Sequence, residues 1–134
     1  MKTIEVSFAG GKKIGCEIDG HTILTDQPAS NGGENTACSP FSLFLASLAT
    51  CAGFYASEFC KRRDISMQGF SLRMHCHQGE RSKRYERVVF EMVLPEGFPQ
   101  AQIDALKRSI DSCTVKKHVA EAPQFEVTVV ETPG

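Results

Sequence analysis

The cysteines are the residues of this sequence whose chemistry is easiest to name. The chain has six of them, and a cysteine thiolate can act as a nucleophile, a metal ligand or half of a disulfide. No two form a Cys-x-x-Cys pair, and their scattered spacing favours neither a disulfide framework nor a zinc cage. We interpret them as independent thiols, of which Cys51 and Cys113 are the best candidates for chemistry.

These two cysteines lie in different predicted helices. Cys51 is midway along an apolar segment, on the face that it shares with Phe44, Leu48 and Tyr55. Cysteine is common in protein cores, so packing is the simpler interpretation of that position alone. Cys113 closes a shorter amphipathic helix and precedes Thr-Val-Lys-Lys, where backbone N–H groups and two lysines would favour a thiolate. Spacing alone does not bring the two sulfurs together.

Two other polar groups are weaker candidates. His75, Cys76 and His77 lie on a predicted strand, so both imidazoles share one face and the thiol points to the other. Surface histidines and a core cysteine are therefore favoured over a metal site. A basic cluster has Tyr85 as its one aromatic neighbour and is interpreted as a solvated turn, not a nucleic-acid patch. Its members are Arg81, Lys83, Arg84 and Arg87.

Alternating and helical patterns predict the elements that must position these residues. An N-terminal β-meander is followed by a polar loop, a long central helix that begins at Ser39 and Pro40, a β-hairpin, a second helix, a short helical piece and a closing strand. The predicted ranges are strands at 4–8, 14–18 and 21–25, the loop at 26–38, the central helix to about Arg63, the hairpin strands at 70–76 and 88–94, helices at 103–113 and 114–120, and the last strand at 125–130.

The central helix is apolar nearly all round, which predicts burial on most sides. Residues 35–57 carry no charge, but serine, threonine, proline and glycine dilute the stretch, so a buried helix is favoured over a membrane span. Ala46, Ala49, Gly53 and Ala56 form a stripe of small residues. Because the chain offers no second helix of similar length, the expected partner of this stripe is the same helix of another subunit.

Size and composition indicate one α+β domain over residues 1–134. The 134 residues and formal net charge of −1 suit a single small globular unit and favour neither nucleic acid nor an anionic membrane as a partner. The N-terminus has no apolar signal core, so we expect a cytoplasmic protein with reduced thiols. No cofactor or metal is expected.

Two sequence blocks resemble the OsmC/Ohr family of osmotically inducible and organic hydroperoxide resistance proteins. Residues 39–51, Ser-Pro-Phe-Ser-Leu-Phe-Leu-Ala-Ser-Leu-Ala-Thr-Cys, are similar to the family's first-cysteine helix. Residues 88–95, followed by Glu-Gly-Phe-Pro and a helix into Ser112-Cys113-Thr-Val-Lys, are similar to its second-cysteine segment. The predicted order of elements agrees with the family over essentially the whole chain.

The resemblance implies an OsmC-like fold in an intertwined homodimer, with the site at the dimer interface. It also implies a function, the thiol-dependent reduction of organic or inorganic hydroperoxides. Cys51 would be the peroxidatic nucleophile, which becomes a sulfenic acid. Cys113 would be the resolving cysteine, and a dithiol or lipoyl-type reductant would reopen the disulfide. An interface pocket for the substrate is expected around Phe41, Phe44, Leu48 and Tyr55.

The chain departs from the family at the groups that hold the thiolate. Family peroxidases use an arginine from the N-terminal strands, whereas this chain has none before Arg62. Phe41 stands where their glutamate is expected, and Thr114 follows Cys113 where the family usually has proline. Lys12 or Lys13 is the expected substitute for the arginine. The alternative is a non-catalytic dimeric module that binds a small hydrophobic ligand at the interface and uses Cys51 only for packing.

Overall fold

The computed structural model describes residues 1–132 and confirms the α+β class. The element bounds are β1 Glu5–Gly10, β2 Lys13–Ile18, β3 His21–Thr25, α1 Pro40–Arg62, β4 Ser71–Gln78, β5 Tyr85–Val93, α2 Ile103–Asp111 and α3 Thr114–Ala120. The chain divides into two compact units, Met1–Ser47 and Leu48–Gly134, with the boundary inside α1. That residues 1–134 act as one domain stays a prediction.

The first unit contains the predicted meander. Its three strands are antiparallel in the order β1-β2-β3, with Cys16 paired to both Val6 and Ile23. Asp19 and Gly20 form the turn between β2 and β3 with φ values of 50° and 78°. Positive φ favours glycine and is tolerated by aspartate, which explains why this pair forms the hairpin turn.

The loop between β3 and α1 is ordered around one buried carboxylate. Asp26 is only 1% exposed and accepts hydrogen bonds from the Thr36 hydroxyl at 2.7 Å, the Thr36 N–H at 3.0 Å and the Gln27 N–H at 2.7 Å. These bonds, the Thr36 hydroxyl foremost, lower the pKa of Asp26 to about 2. The Asp26 N–H also donates to the Cys38 carbonyl at 3.2 Å, which closes the loop just before α1.

Helix α1 begins as predicted and ends one residue before the expected Arg63. The Ser42 N–H donates to Ser39 Oγ at 3.2 Å, so Ser39 caps the helix and satisfies a first-turn donor. Pro40 occupies the first helical position, where the missing N–H costs nothing. Helix α1 is long and apolar enough to cross a bilayer, but the core helices of soluble proteins meet the same two criteria.

The expectation that α1 is buried on most sides is wrong for the single chain. One face is buried, through Leu48, Ala52, Ala56, Phe59 and Cys60. On the rest of the helix, large aromatic side chains are exposed, and these are Phe41, Phe44 and Phe54. The apolar pattern predicted burial correctly for one face, but a single chain of this size has no second layer to cover the others.

The small-residue stripe also needs correction at one position. Ala56 is fully buried and belongs to the core cluster of the second unit, beside Phe59 and Leu106. Ala46 is exposed, whereas Ala49 and Gly53 are half-buried. A Cβ atom built on Gly53 meets nothing within 4 Å, so this part of the stripe has room for a neighbour.

The second unit is built on the predicted hairpin and helices. Strands β4 and β5 are antiparallel, and Leu72 pairs with Met92, Met74 with Phe90. Alternate side chains share a face, and Leu72, Phe90 and Met92 pack against the core cluster. The buried residues of that cluster come from α1, from α2 and from the segment before α2, and they are Ala52, Ala56, Phe59, Cys60, Phe98, Leu106 and Ile110.

The predicted closing strand at 125–130 is wrong for the single chain. Residues 122–132 have no regular secondary structure, and Val127 is 94% exposed. Its alternation is typical of a strand, but a strand needs a neighbour that accepts its backbone hydrogen bonds. Neither sheet formed within residues 1–132 includes this segment.

Candidate active site

Contacts between the second half of α1 and residues 109–114 bring the two candidate cysteines together. Ser109 Oγ donates to the Tyr55 carbonyl at 3.5 Å, and the Tyr55 and Thr114 hydroxyl oxygens are hydrogen bonded at 3.0 Å. Tyr55 lies one helical turn after Cys51, and Thr114 directly follows Cys113. The Cys113 thiol is hydrogen bonded to the Cys51 sulfur, and both are free thiols.

The surroundings of Cys51 favour its thiolate. Burial acts to raise the pKa of Cys51, but hydrogen bonds from the Cys113 thiol and from the backbone N–H groups of Val115 and Thr114 outweigh burial, and the pKa is lowered from the ordinary thiol value. Donors that point at a sulfur stabilise its charged form more than its neutral form. Hydrogen bonds therefore lower the pKa of this thiol, and no cation is among the causes.

Cys113 behaves in the opposite way. It is only 2% exposed, and burial together with its hydrogen bond to Cys51 raises the pKa of Cys113. The sequence-based expectation of a thiolate at Cys113 is therefore wrong. The N–H groups of Lys116 and Val115 at the start of α3 act to lower the pKa of Cys113, but burial and the hydrogen bond with Cys51 outweigh them. One of the two lysines after Cys113, Lys116, pairs with Asp111.

Thr114 supplies a donor that the family pattern lacks. It is the first residue of α3, and the first N–H groups of a helix have no partner within the helix. A proline at this position, as the family usually has, carries no N–H at all. The departure from Cys-Pro to Cys113-Thr114 therefore adds one hydrogen bond to the thiolate.

The remaining predicted site residues are placed as follows. Leu48 is buried and Tyr55 half-buried in the second unit. Phe41 and Phe44 are exposed in the first unit, with ring centroids 5.7 Å apart, so in the single chain they do not wall an enclosed pocket. Lys13 pairs with Glu34 at 3.3 Å in the first unit, and activation of Cys51 by Lys12 or Lys13 stays a prediction.

Sequence reasoning missed two functional groups, the Thr114 N–H and the Tyr55 hydroxyl. Tyr55 was expected only as an apolar wall residue, whereas its hydroxyl fixes Thr114 at the start of α3. The spacing of four residues from Cys51 on one helix was the available signal. The donor role of Thr114 had no signal of its own, since every residue except proline carries an N–H.

The other sulfur and imidazole groups form no metal-binding cluster in the part of the chain that the structure describes. Cys60 is fully buried, and burial raises the pKa of its thiol. Cys76 is half-buried, and His75 lies 3.6 Å from Glu91 on the exposed side of the hairpin. Within residues 1–132, no group of three or more His, Cys, Asp or Glu side chains is placed to hold a metal ion.

Comparison with solved structures identifies the fold. One similar structure is from Psychrobacter arcticus and is described as an osmotic stress induced and detoxification response protein. It matches with a TM-score of 0.71 and 21% identity over 87% of each chain. The OsmC like protein from Mycoplasma pneumoniae matches with a TM-score of 0.68 and 11% identity, over 91% of this chain and 89% of that one.

A third structure carries a functional description. It is an organic hydroperoxide resistance protein OsmC, predicted redox protein and regulator of sulfide bond formation, from Legionella pneumophila. Its TM-score is 0.56 at 20% identity, over 89% of this chain and 88% of that one. At such identities the likeness shows a shared fold. No curated protein matches the sequence significantly.

The family model is decisive, because it is matched by the sequence itself. The model of the OsmC-like protein family covers residues 33–128, a range that includes α1, the hairpin and both candidate cysteines. The chain belongs to the OsmC-like protein family.

Proposed function

We propose that this protein reduces hydroperoxides with Cys51 as the peroxidatic and Cys113 as the resolving cysteine. The observation that carries the proposal is the contact between the two thiols, with the pKa of Cys51 lowered and the pKa of Cys113 raised. A reacting pair needs one sulfur ready as a nucleophile and one protonated until it is required.

The first step uses this difference in protonation. The Cys51 thiolate attacks the terminal oxygen of the hydroperoxide, an S–O bond forms and the O–O bond breaks. Cys51 is oxidised to the sulfenic acid, and the leaving alkoxide takes a proton to become the alcohol. The Cys113 thiol is a suitable source of that proton because it already donates to the Cys51 sulfur.

The second step converts the sulfenic acid into a disulfide. The Cys113 thiolate attacks the sulfenic sulfur of Cys51, a disulfide forms and hydroxide leaves, to be protonated to water. An external dithiol or lipoyl-type reductant then exchanges with the disulfide and regenerates both thiols. A reducing cytoplasm would keep such a reductant available.

A homodimer belongs to the same proposal. Large apolar side chains are exposed at residues 4–8, on α1, where Phe54 is 60% exposed, and along residues 125–130. A second copy that covered α1 and paired with 125–130 would remove this surface from water at roughly 25 cal/mol per Å². Light scattering tests the dimer, and Gly53→Leu tests the contact because the single chain has room for the new side chain. A folded wild-type monomer at micromolar concentration would contradict the dimer.

The experiment for the reaction is one equivalent of cumene hydroperoxide followed by peptide mapping of the thiols. The proposal expects a Cys51–Cys113 disulfide, and expects Cys51→Ser to leave Cys113 reduced. If both thiols stay free while Cys38 or Cys60 oxidises, the mechanism is wrong. That result would instead favour the non-catalytic module in which Cys51 only packs.

A further inference from the structure

The hairpin of β4 and β5 has two different faces. On one face, alternate side chains of both strands pack against the core cluster of the second unit. The opposite face is exposed and polar, and across it Arg73 lies opposite Glu91 and His77 opposite Arg87 in the register of the strands. The first face supports the fold, whereas neither the fold nor the proposed thiol reaction accounts for the second.

The charge on the exposed face changes along the hairpin. Far from the turn, Arg73 Nη1 donates to Glu91 Oε1 at 2.9 Å, and His75 Nε2 lies 3.6 Å from the same oxygen. Near the turn, the exposed side chains of the basic cluster are Arg81, Lys83, Arg84 and Arg87. The ion pairs found among residues 1–132 include none of these four. The basic cluster therefore carries positive charge that this part of the chain does not neutralise by contact.

The turn that displays the basic cluster is ordered by hydrogen bonds. Gln78 Nε2 donates to the Lys83 carbonyl at 3.0 Å. The Arg84 N–H donates to Ser82 Oγ at 3.0 Å, and the Gly79 N–H donates to the Arg84 carbonyl at 3.2 Å. Because the backbone is held in this way, its side chains are displayed from fixed positions, which lowers the entropy cost of binding a partner.

Two glutamates lie close to the basic cluster in the sequence but do not cancel its charge. The Glu86 carboxylate lies against Gly79, where a Cβ atom would overlap it, so glycine leaves room for this carboxylate beside the backbone. Residues 79–87 contain four Lys or Arg against Glu80 and Glu86, a formal charge of +2, whereas the whole chain has a formal net charge of −1. The positive charge is therefore local to this end of the hairpin.

Spacing and composition favour an acidic polypeptide over a nucleic acid as the partner. Alternate residues on one face of a strand are about 6.8 Å apart, and an extended peptide with an acid at every second position has the same repeat. A DNA duplex carries one negative charge per about 1.7 Å, too dense a spacing to avoid Glu80 and Glu86. Binding of single strands relies on aromatic side chains that stack on bases, and Tyr85 is the one aromatic residue within 78–87.

We propose that the basic cluster is a docking surface for an acidic segment of another protein. Carboxylates of the segment contact Arg84 and Arg87, whose planar guanidinium groups match the two oxygens of a carboxylate, and Lys83 adds a third positive charge. Exposed charges contribute more to association rate and specificity than to affinity, so the partner binds and dissociates readily. This surface goes beyond the proposed function, because it includes neither thiol and no part of the proposed dimer contact.

Fluorescence anisotropy of the full chain with a labelled octapeptide of alternating glutamate and serine tests the proposal. The peptide should bind at low salt, and its affinity should fall at least about tenfold at about 0.5 M salt, because exposed charges are screened. A matched octapeptide with glutamine in place of glutamate should not bind. Absence of binding by the glutamate peptide, or tighter binding of a short DNA duplex or of phosphatidylserine vesicles, would overturn the assignment.

Matched double variants locate the surface. Lys83→Gln with Arg84→Gln should weaken binding of the glutamate peptide about four- to twentyfold, since an exposed ion pair contributes about two- to fivefold in affinity. Lys61→Gln with Lys117→Gln removes the same charge from exposed positions outside the hairpin and should leave the affinity unchanged. Equal losses in the two double variants would reduce the effect to net charge and overturn the docking surface. Circular dichroism checks that each variant is folded.

Discussion

Asp26 in the first unit and Cys51 in the second are two acids stabilised by the same means. Both have their pKa lowered by hydrogen bonds, to about 2 for Asp26 and below the ordinary thiol value for Cys51. In both cases hydroxyl, thiol or backbone N–H groups lower the pKa, with no cation among the causes. They differ in accessibility, since Asp26 is almost fully buried and Cys51 half-buried.

That difference separates the structural role of Asp26 from the reactive role proposed for Cys51. The Asp26 carboxylate has donors from Thr36 and Gln27 at short range and is closed to solvent, so it organises the loop before α1. The Cys51 side chain has donors from the start of α3 and from Cys113 and is only half-buried, as the proposed attack on a peroxide requires. We infer that, in the proposed reaction, these hydrogen bonds take the place of the arginine and glutamate that family peroxidases use.

The largest effect is expected from Asp26→Asn, through stability. The folded pKa of Asp26 lies below the ordinary aspartate value of 3.8, so its contribution to stability is fully present above about pH 3.8 and is lost as the pH falls towards about 2. An asparagine amide has one oxygen and one NH₂ group, so its NH₂ group would face an N–H of Thr36 or Gln27 that now donates to a carboxylate oxygen. The melting temperature of Asp26→Asn should fall well below the wild type at pH 7.

The pH dependence supplies the control for this prediction. The difference in melting temperature should shrink between about pH 3.8 and about pH 2, the range set by the shift. Asp19→Asn changes an exposed aspartate that pairs with Lys2, and exposed pairs contribute about 0–1 kcal/mol. A pH-independent difference, or an equal loss in Asp19→Asn, would mean that the charge of Asp26 is not what stabilises the loop.

A smaller but direct effect is expected from Cys113→Ala. Of the groups that lower the pKa of Cys51, the Cys113 thiol contributes most, so its deletion should raise that pKa. A hydrogen bond to a charged group typically contributes about 1.5–3 kcal/mol, which is large enough for the change to be measured. The rate of iodoacetamide alkylation against pH measures the shift. Cys113→Ser keeps a donor and should fall between alanine and wild type.

Thr114→Pro should raise the pKa of Cys51 by less, because it removes only one backbone donor. Proline is tolerated at the first position of a helix, and the preceding Cys113 has φ −50° and ψ 127°, an extended conformation compatible with a following proline. Thr114→Val keeps the N–H and loses the contact with Tyr55. A pKa equally changed in both variants would assign the effect to the hydroxyl instead of the N–H.

The sequence predicted the fold better than the site. Periodicity and capping placed α1, the hairpin and α3 because those patterns are local, and Ser39-Pro40 fixes a helix start whatever surrounds it. The strand at 125–130 and full burial of α1 were wrong because both depend on a partner surface that a single chain lacks. The raised pKa of Cys113 was not predicted, because it depends on how deeply its sulfur is buried and on its hydrogen bond with Cys51.

The smallest effect is expected from Lys12→Met and Lys13→Met, and it tests the comparison most directly. The sequence predicts that one of these lysines replaces the family's arginine, so its loss would slow alkylation of Cys51 markedly. Hydrogen bonds from Cys113, Val115 and Thr114 predict instead that the rate at neutral pH stays within about twofold, since exposed charges are screened by salt. Lys13 already pairs with Glu34 at 3.3 Å, so Glu34→Gln provides a control that frees the same cation. A marked slowing of alkylation in Lys12→Met or Lys13→Met, together with faster alkylation in Glu34→Gln, would show that Cys51 relies on a cation. Its likeness to Asp26 would then be incomplete.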